Sequence, residues 1–262
     1  MLKEIIIALQ SYKYAYNFIK SNKLFKWIIT PGIFYCILFA IGIYFFTPKL
    51  NDFIEWLNLK TGLRVWLEKK SEAGEWWGFL FTTSSVSLWC VMALFYFSLF
   101  KYFILITGSP IFAHLSEKTV AIIEGKNYFF SFSKIKSDVW RGARVVARNL
   151  LRQSIYMVAL TFASVIPVFG LLAVMVALFL DSYYFGFSML DYGIKQQDKK
   201  MNESFFYIES HKGLAVGNGI IFYLMHWLPI AGWIFAPAYS VIAATLTLHP
   251  VIEKKEEKEN DF

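Results

Sequence analysis

The stretch "SVIPVFGLLAVMVALFLD", residues 164–181, decides how this chain is read. It lies in an apolar run of 28 residues, 153 to 180, which starts at Gln153, meets no charge until Asp181 and carries Pro167 and Gly170 near its middle. One membrane span needs about 20 apolar residues, and two need about 40 and a turn. The run is too long for one span and too short for two.

The chain makes the same break again. A second uncharged run from Gly213 to Pro250 contains "HWLPIAGWIFAPAYSVIAATLTLHP", and its Leu228-Pro229-Ile230-Ala231-Gly232 matches Ile166-Pro167-Val168-Phe169-Gly170 in type at every position but the fourth. Proline removes a helix donor, and glycine three residues later accepts unusual backbone angles, so Pro167 with Gly170 and Pro229 with Gly232 are expected to mark turns. The 14 residues from Gln153 to Ile166 reach roughly 21 Å as helix, against a hydrocarbon core about 30 Å thick. Each arm falls short, which predicts two helical hairpins that penetrate the bilayer partway and turn back. The polar segments 191–212 and 251–262 would then lie on the side from which the hairpins enter. A kinked full span for each run is the alternative and would put 191–212 on the opposite side.

The composition agrees with a membrane setting. Of 262 residues, 57% are hydrophobic, 19% aromatic and only 17% charged, outside the balance of a soluble domain. Uncharged runs from Trp27 to Phe46 and from Phe79 to Phe100 have 20 and 22 residues, the length of two long transmembrane helices. Trp27, Trp76 and Trp77 stand where an aromatic belt is expected. No polar stretch is long enough for a second domain, so residues 1–252 are read as one integral membrane domain and 253–262 as a charged, disordered tail. The N-terminal lysines precede no cleavage pattern, and no signal cleavage is expected.

Residues 1–20 place Leu2, Ile5, Leu9, Tyr12, Tyr16 and Ile19 on one helical stripe, which predicts an N-terminal amphipathic helix at the interface. Docking on protein is the alternative. Leu50, Phe53, Ile54 and Leu57 read as a short outer helix interrupted near Thr61 and Gly62. Ser109, Pro110 and Gly125 give the start and stop of a helix of about 15 residues. The basic residues gather before the first span and between Lys101 and Arg152, which places the N-terminus and the C-terminus in the cytoplasm.

Arg141, Arg144, Arg148 and Arg152, spaced by three and four, share one helix face opposite Val139, Ala143, Val146 and Leu150. Such a face can bind lipid phosphates and set topology, or it can raise the local anion concentration at a pore mouth. The formal charge of +7 is spread along the chain, and no nucleic-acid motif accompanies it.

Several of these pieces, in this order, resemble the CysZ-type sulfate permeases, which share a domain with the eukaryotic etoposide-induced membrane proteins. They are Ser109-Pro110 with Leu115, Glu117 and Lys118; the proline of "SVIPVFG"; Leu190-Asp191-Tyr192; and Pro229, Pro237, Ala244 and Thr245. The resemblance implies an all-α fold of two long transmembrane helices and two partly penetrating hairpins, assembled into homo-oligomers in the bacterial inner membrane. It also implies passage of sulfate or a related inorganic anion. The sulfate-transporting members carry a Gly-Leu-Arg-Arg stretch before the first span. The equivalent here is Lys23-Leu24-Phe25-Lys26, which keeps the leucine and one cation, has Lys23 at the glycine and places Phe25 at the first arginine. A lysine binds as a point charge and lacks the guanidinium fork. The anion-binding candidates are thus Lys23, Leu24 and Lys26 by resemblance, and Arg141, Arg144 and Arg148 by their shared face.

The four histidines are scattered without metal-ligand spacing, and no nucleophile elbow, phosphate loop or dinucleotide fingerprint occurs. No enzyme activity, cofactor, metal or nucleic-acid partner is expected; the expected partners are the lipid bilayer and an inorganic anion. The glycines of "GLAVGNG", 213–219, are read as close helix packing. The second functional reading is a non-transporting protein that binds lipid or scaffolds partners.

Overall fold

A computed structural model describes residues 1–61, 75–126, 132–164, 166–197, 199–228 and 230–249, and among these every regular element is a helix. In chain order they are α1 (Leu2–Ser21), α2 (Phe25–Thr61), α3 (Glu75–Thr107), α4 (Ser109–Ile123), α5 (Phe132–Ser164), α6 (Pro167–Lys195), α7 (Met201–Ser210), α8 (Lys212–His226) and α9 (Ala231–Thr247). Pro229 and the tail 253–262 lie outside the described residues.

Three segments are long and apolar enough to cross a membrane: Tyr35–Phe53 in α2, Val86–Thr107 in α3 and Phe169–Lys195 in α6. The first two overlap the expected spans, Trp27 to Phe46 and Phe79 to Phe100, and lie further toward the C-terminus of each. The third is a further candidate by length and composition, because α6 continues past Asp181, where the uncharged run stops, to Lys195. A buried carboxylate with partners does not end a helix. Nor does a separate outer helix form, since α2 runs unbroken through Leu50 and Phe53 to Thr61. Pro48 removes one backbone bond within that helix, but neighbouring Thr47 adds one by donating its hydroxyl to Ile43 O at 2.9 Å.

The chain divides into two compact units. The first comprises residues 1–37, 102–149 and 182–262, and its interior is built on glycine. A Cβ on Gly219 would stand 1.9 Å from Ser182 O, and one on Gly186 would stand 1.9 Å from Ala215 O. Ser182 with Gly186, and Ala215 with Gly219, form a four-residue small-residue pair on each helix, which lets the backbones of α6 and α8 touch. On another face of α8, Gly213 and Gly217 receive α1: a Cβ on Gly217 would meet Ala8 Cβ at 2.7 Å.

These contacts decide between the two readings of α1. Its buried residues are Ala8, Ser11, Tyr12, Ala15 and Ile19, while Leu2, Leu9 and Tyr16 of the expected stripe are exposed. The helix docks on protein through Ala8, Ser11 and Ala15 together with Tyr12 and Ile19 of that stripe. Tyr12 donates its hydroxyl to Asn218 O at 2.9 Å, Tyr239 donates to Tyr12 O at 2.6 Å, and Gly213 N donates to Glu4 Oε2 at 2.9 Å. Large apolar residues dominated the sequence pattern, yet close approach to Gly217 also selects Ala8.

Within the same unit α8 and α9 form a helical hairpin. Asn218 of α8 donates to Ser240 O of α9 at 3.3 Å, and Ile230 makes the turn with φ 62°. Gly232 is helical, and its lack of a Cβ lets Met225 O approach to 1.9 Å of the Cβ position.

The second unit comprises residues 38–101 and 150–181. Its arms from α5 and α6 run antiparallel, since Gln153 and Asp181, at the far ends of the two arms, are hydrogen-bonded at 2.6 Å. Val91 of α3 packs with Met157, Ala173 and Ala177 between the arms. The break lies before Pro167 rather than from Pro167 to Gly170: α5 stops at Ser164, and Pro167 opens α6, where a missing N–H costs nothing. Gly170 sits in the first turn of α6, where a Cβ would meet Ser87 Cβ at 2.8 Å and Ser164 O at 2.9 Å. It serves packing instead of turning. Ile155, Phe162, Phe169 and Met175 on the arms are more than half exposed, as lipid-facing residues are.

Candidate anion-binding site

The junction between α1 and α2 is set by a left-handed residue. Lys23 has φ 54°, Lys23 N donates to Lys20 O at 3.4 Å and Leu24 N to Ile19 O at 3.1 Å. This pair of bonds is the Schellman ending, in which the residue after the cap takes the left-handed conformation and usually is glycine. Lys23 therefore adopts the backbone form that the glycine of a Gly-Leu-Arg-Arg stretch would adopt freely. Leu24, buried to 1% exposure, supplies the apolar contact that accompanies such an ending. Its carbonyl accepts from Trp27 N at 3.0 Å as α2 begins.

Around this turn Lys23, Phe25 and Lys26 are exposed, with Leu24 inward. Trp27 of α2 stacks obliquely on His114 of α4, centroid to centroid 4.7 Å, and Lys118 places its ammonium 4.4 Å from the Trp27 ring centre. Burial pushes the His114 imidazole below the ordinary histidine range, and the positive charge of Lys118 adds to that effect. The site thus brings ammoniums from two helices to the N-terminus of α2, whose dipole end favours negative charge, a combination suited to an anion. Sequence reasoning had Lys118 only as part of a family motif. No pattern along the chain brings it to Trp27, 91 residues earlier.

The arginine helix is arranged otherwise. Arg141 donates Nη2 to Asp191 Oδ1 at 2.9 Å, Nε to Asp191 Oδ2 at 3.3 Å and Nη1 to Lys199 O at 2.7 Å. Ser204 donates to the same Asp191 carboxylate. Arg148 donates to Glu209 Oε1 at 2.6 Å and stacks over Phe205, 3.7 Å from its centre. Arg144 is exposed and lies 5.0 Å from the centre of the exposed Trp140 ring. The four arginines share a face, as their spacing requires, but two of the three candidates are held by carboxylates of α6 and α7.

Asp191 belongs to the Leu190-Asp191-Tyr192 motif, and two residues of other motif pieces, Ser109 and Thr245, lie near Tyr192. Ser116 donates its hydroxyl to Tyr192 O at 3.0 Å and lies 3.0 Å from the Thr245 hydroxyl, while Gly142 leaves room for Ser109 and the Tyr192 hydroxyl. Gly193 admits Leu248 and Thr245, since a Cβ there would come within 2.7 Å of Leu248 Cδ1. Apart from Pro167, which lies in the second unit, the described motif residues belong to the first. Among the described residues no group of three His, Cys, Asp or Glu could hold a metal.

Among curated proteins none matches the chain. Residues 11–237 match the family described as sulfate transporter CysZ/etoposide-induced protein 2.4. That match covers most of the chain, including the α1–α2 junction, the motif residues around Asp191 and the α5–α6 hairpin. The chain belongs to the sulfate transporter CysZ/etoposide-induced protein family.

Proposed function

We propose that the protein is a permease or channel for an inorganic oxyanion, sulfate foremost, and performs no catalysis. Family membership across residues 11–237 carries this reading. The geometry that supports it is the α1–α2 junction, where Lys23 holds a glycine-like turn while adding a cation. Lys23 and Lys26 gather the anion from the interface, and Lys118 adds field from α4. The bilayer and the anion are the partners, and assembly into a homo-oligomer in the bacterial inner membrane, with both termini cytoplasmic, completes the reading. Purified protein in liposomes should carry radiolabelled sulfate at a rate well above protein-free vesicles. Background flux of sulfate and sulfite through folded, incorporated protein would exclude it.

The two hairpins are proposed to turn within the bilayer. In the α5–α6 pair, Gln153 and Asp181 stand at one level, and the 12 residues from Gln153 to Ser164 extend only about 18 Å. The tip then stops short of the far surface of a core about 30 Å thick.

A second reading, a lipid-binding or scaffolding protein without flux, draws on Arg144 beside Trp140, both exposed. A cation next to an indole is a common interfacial anchor. Under it, Arg144→Ala weakens binding to anionic liposomes while flux stays at background in every variant.

A further inference from the structure

The second unit contains a charged cluster that the family motifs and the arginine face do not include. Lys101 of α3 and Asp181 of α6 pair at 2.6 Å with side-chain exposures of 6% and 0%, and both lie inside segments apolar enough to span a membrane. Gln153 of α5, also buried, donates its amide to the same Asp181 Oδ1 at 2.6 Å, and its own oxygen accepts from Lys101 Nζ at 3.3 Å. Lys101 further reaches Asp181 O at 3.3 Å. Two nitrogen donors from two helices therefore converge on one carboxylate oxygen.

Such a cluster is costly as mere packing. Taking both ions from water costs several kcal/mol each, and well-packed apolar residues often do as well or better. Ionisable groups within membrane helices commonly mark ion pathways. The donor set here, one ammonium and one amide aimed at a single anionic oxygen, is what a carboxylate, sulfate or similar oxyanion oxygen accepts through charge-assisted hydrogen bonds.

We propose that Lys101 and Gln153 form an oxyanion-binding station whose occupant in this structure is the protein's own Asp181 carboxylate. A permeating oxyanion takes the station when that carboxylate turns aside, since two like charges within about 4 Å of each other disfavour joint occupancy. Asp181 then acts as the gatekeeper and Lys101 as the ligand. The source of the anion rests on the permease reading; the station itself is testable without flux.

Asp181→Ala removes the resident carboxylate and leaves a vacancy facing Lys101 and Gln153. Purified in detergent, it should show a thermal midpoint that rises saturably with sodium sulfate and with sodium formate, relative to sodium gluconate at equal ionic strength, as binding to the folded state requires. The wild-type protein and Lys101→Met/Asp181→Ala should show no such rise. If Asp181→Ala yields no folded protein, Asp181→Ser, whose hydroxyl preserves a partner for Gln153, carries the same test. Equal shifts with and without Lys101, no shift with either anion, or a shift with formate alone would overturn the station. Sulfate flux through the wild type is scored separately: its absence would remove the permease reading and leave Lys101-dependent binding standing.

Discussion

Lys23 shows how one residue can look wrong in sequence and still fit the fold. A lysine replaces the expected glycine, yet the backbone keeps φ 54°, at a strain of about 1–3 kcal/mol for a non-glycine residue in this region. Lys23→Gly should therefore raise stability by about 1 kcal/mol, read from chemical denaturation in detergent, while Lys23→Ala changes it by less than half of that. If the permease reading holds, both lower the rate of sulfate entry. His114 gives a pH signature. Its folded-state pKa lies below 6.5, so in the window beneath about 6.5 the unfolded chain binds more protons and stability falls as pH drops. His114→Asn should flatten the decline of thermal midpoint below pH 6.5; an unchanged slope would show that other groups set it. The charge on Lys118 was legible in the sequence, but its position over Trp27 was not, because the contact depends on how α4 packs on α2. Likewise the spacing of Arg141 and Arg148 announced a basic face without revealing that Asp191 and Glu209 occupy it.

Helices and their breaks were more legible than their faces. The limits of α4 follow Ser109, Pro110 and Gly125 within a residue, and Gly125 takes φ 66° in a Schellman ending that the sequence signals directly. The proline-glycine repeat marked the breaks between α5 and α6 and between α8 and α9, but assigned the turn to residues that in part belong to the following helix. Pro167 is compatible with a turn and with the first position of a helix, and only packing against Ser87 and Ser164 separates the two roles of Gly170. For α1, the hydrophobic stripe included Tyr12 and Ile19, which are buried, and Leu2, Leu9 and Tyr16, which are exposed, while the close approach to Gly217 brought in Ala8. The crossing of α6 and α8 makes the element-scale prediction. Gly219→Leu should push these helices apart and cost about 1–3 kcal/mol, the range for overpacking a filled interior. Gly125→Ala, where nothing lies within 4 Å, should cost only the left-handed strain, about 1 kcal/mol. Comparing the yields of folded protein and the thermal midpoints separates the two; equal loss from both would mean that α6 and α8 do not meet as described.

At the scale of the whole molecule, composition establishes a membrane protein, and the family match across residues 11–237 places it among the sulfate transporter CysZ/etoposide-induced proteins. Depth of insertion is a separate matter, because α6 is long enough to cross while its apolar arm, from the hairpin tip to Asp181, is not. In a Cys36→Ala/Cys90→Ala background, Ile166→Cys at the tip should resist membrane-impermeant maleimide from both sides of a vesicle if the hairpin turns within the bilayer. Labelling from the side opposite the arginine helix would instead mean that α5 and α6 span it. The central claim, an oxyanion path that begins at the α1–α2 junction, is tested most directly by initial sulfate flux into liposomes containing equal amounts of wild-type protein and Lys23→Ala/Lys26→Ala. The account predicts flux through the wild type that saturates with sulfate, and at least a severalfold lower rate in the double variant at low sulfate. Equal flux in the two proteins, or none through the wild type, would contradict it.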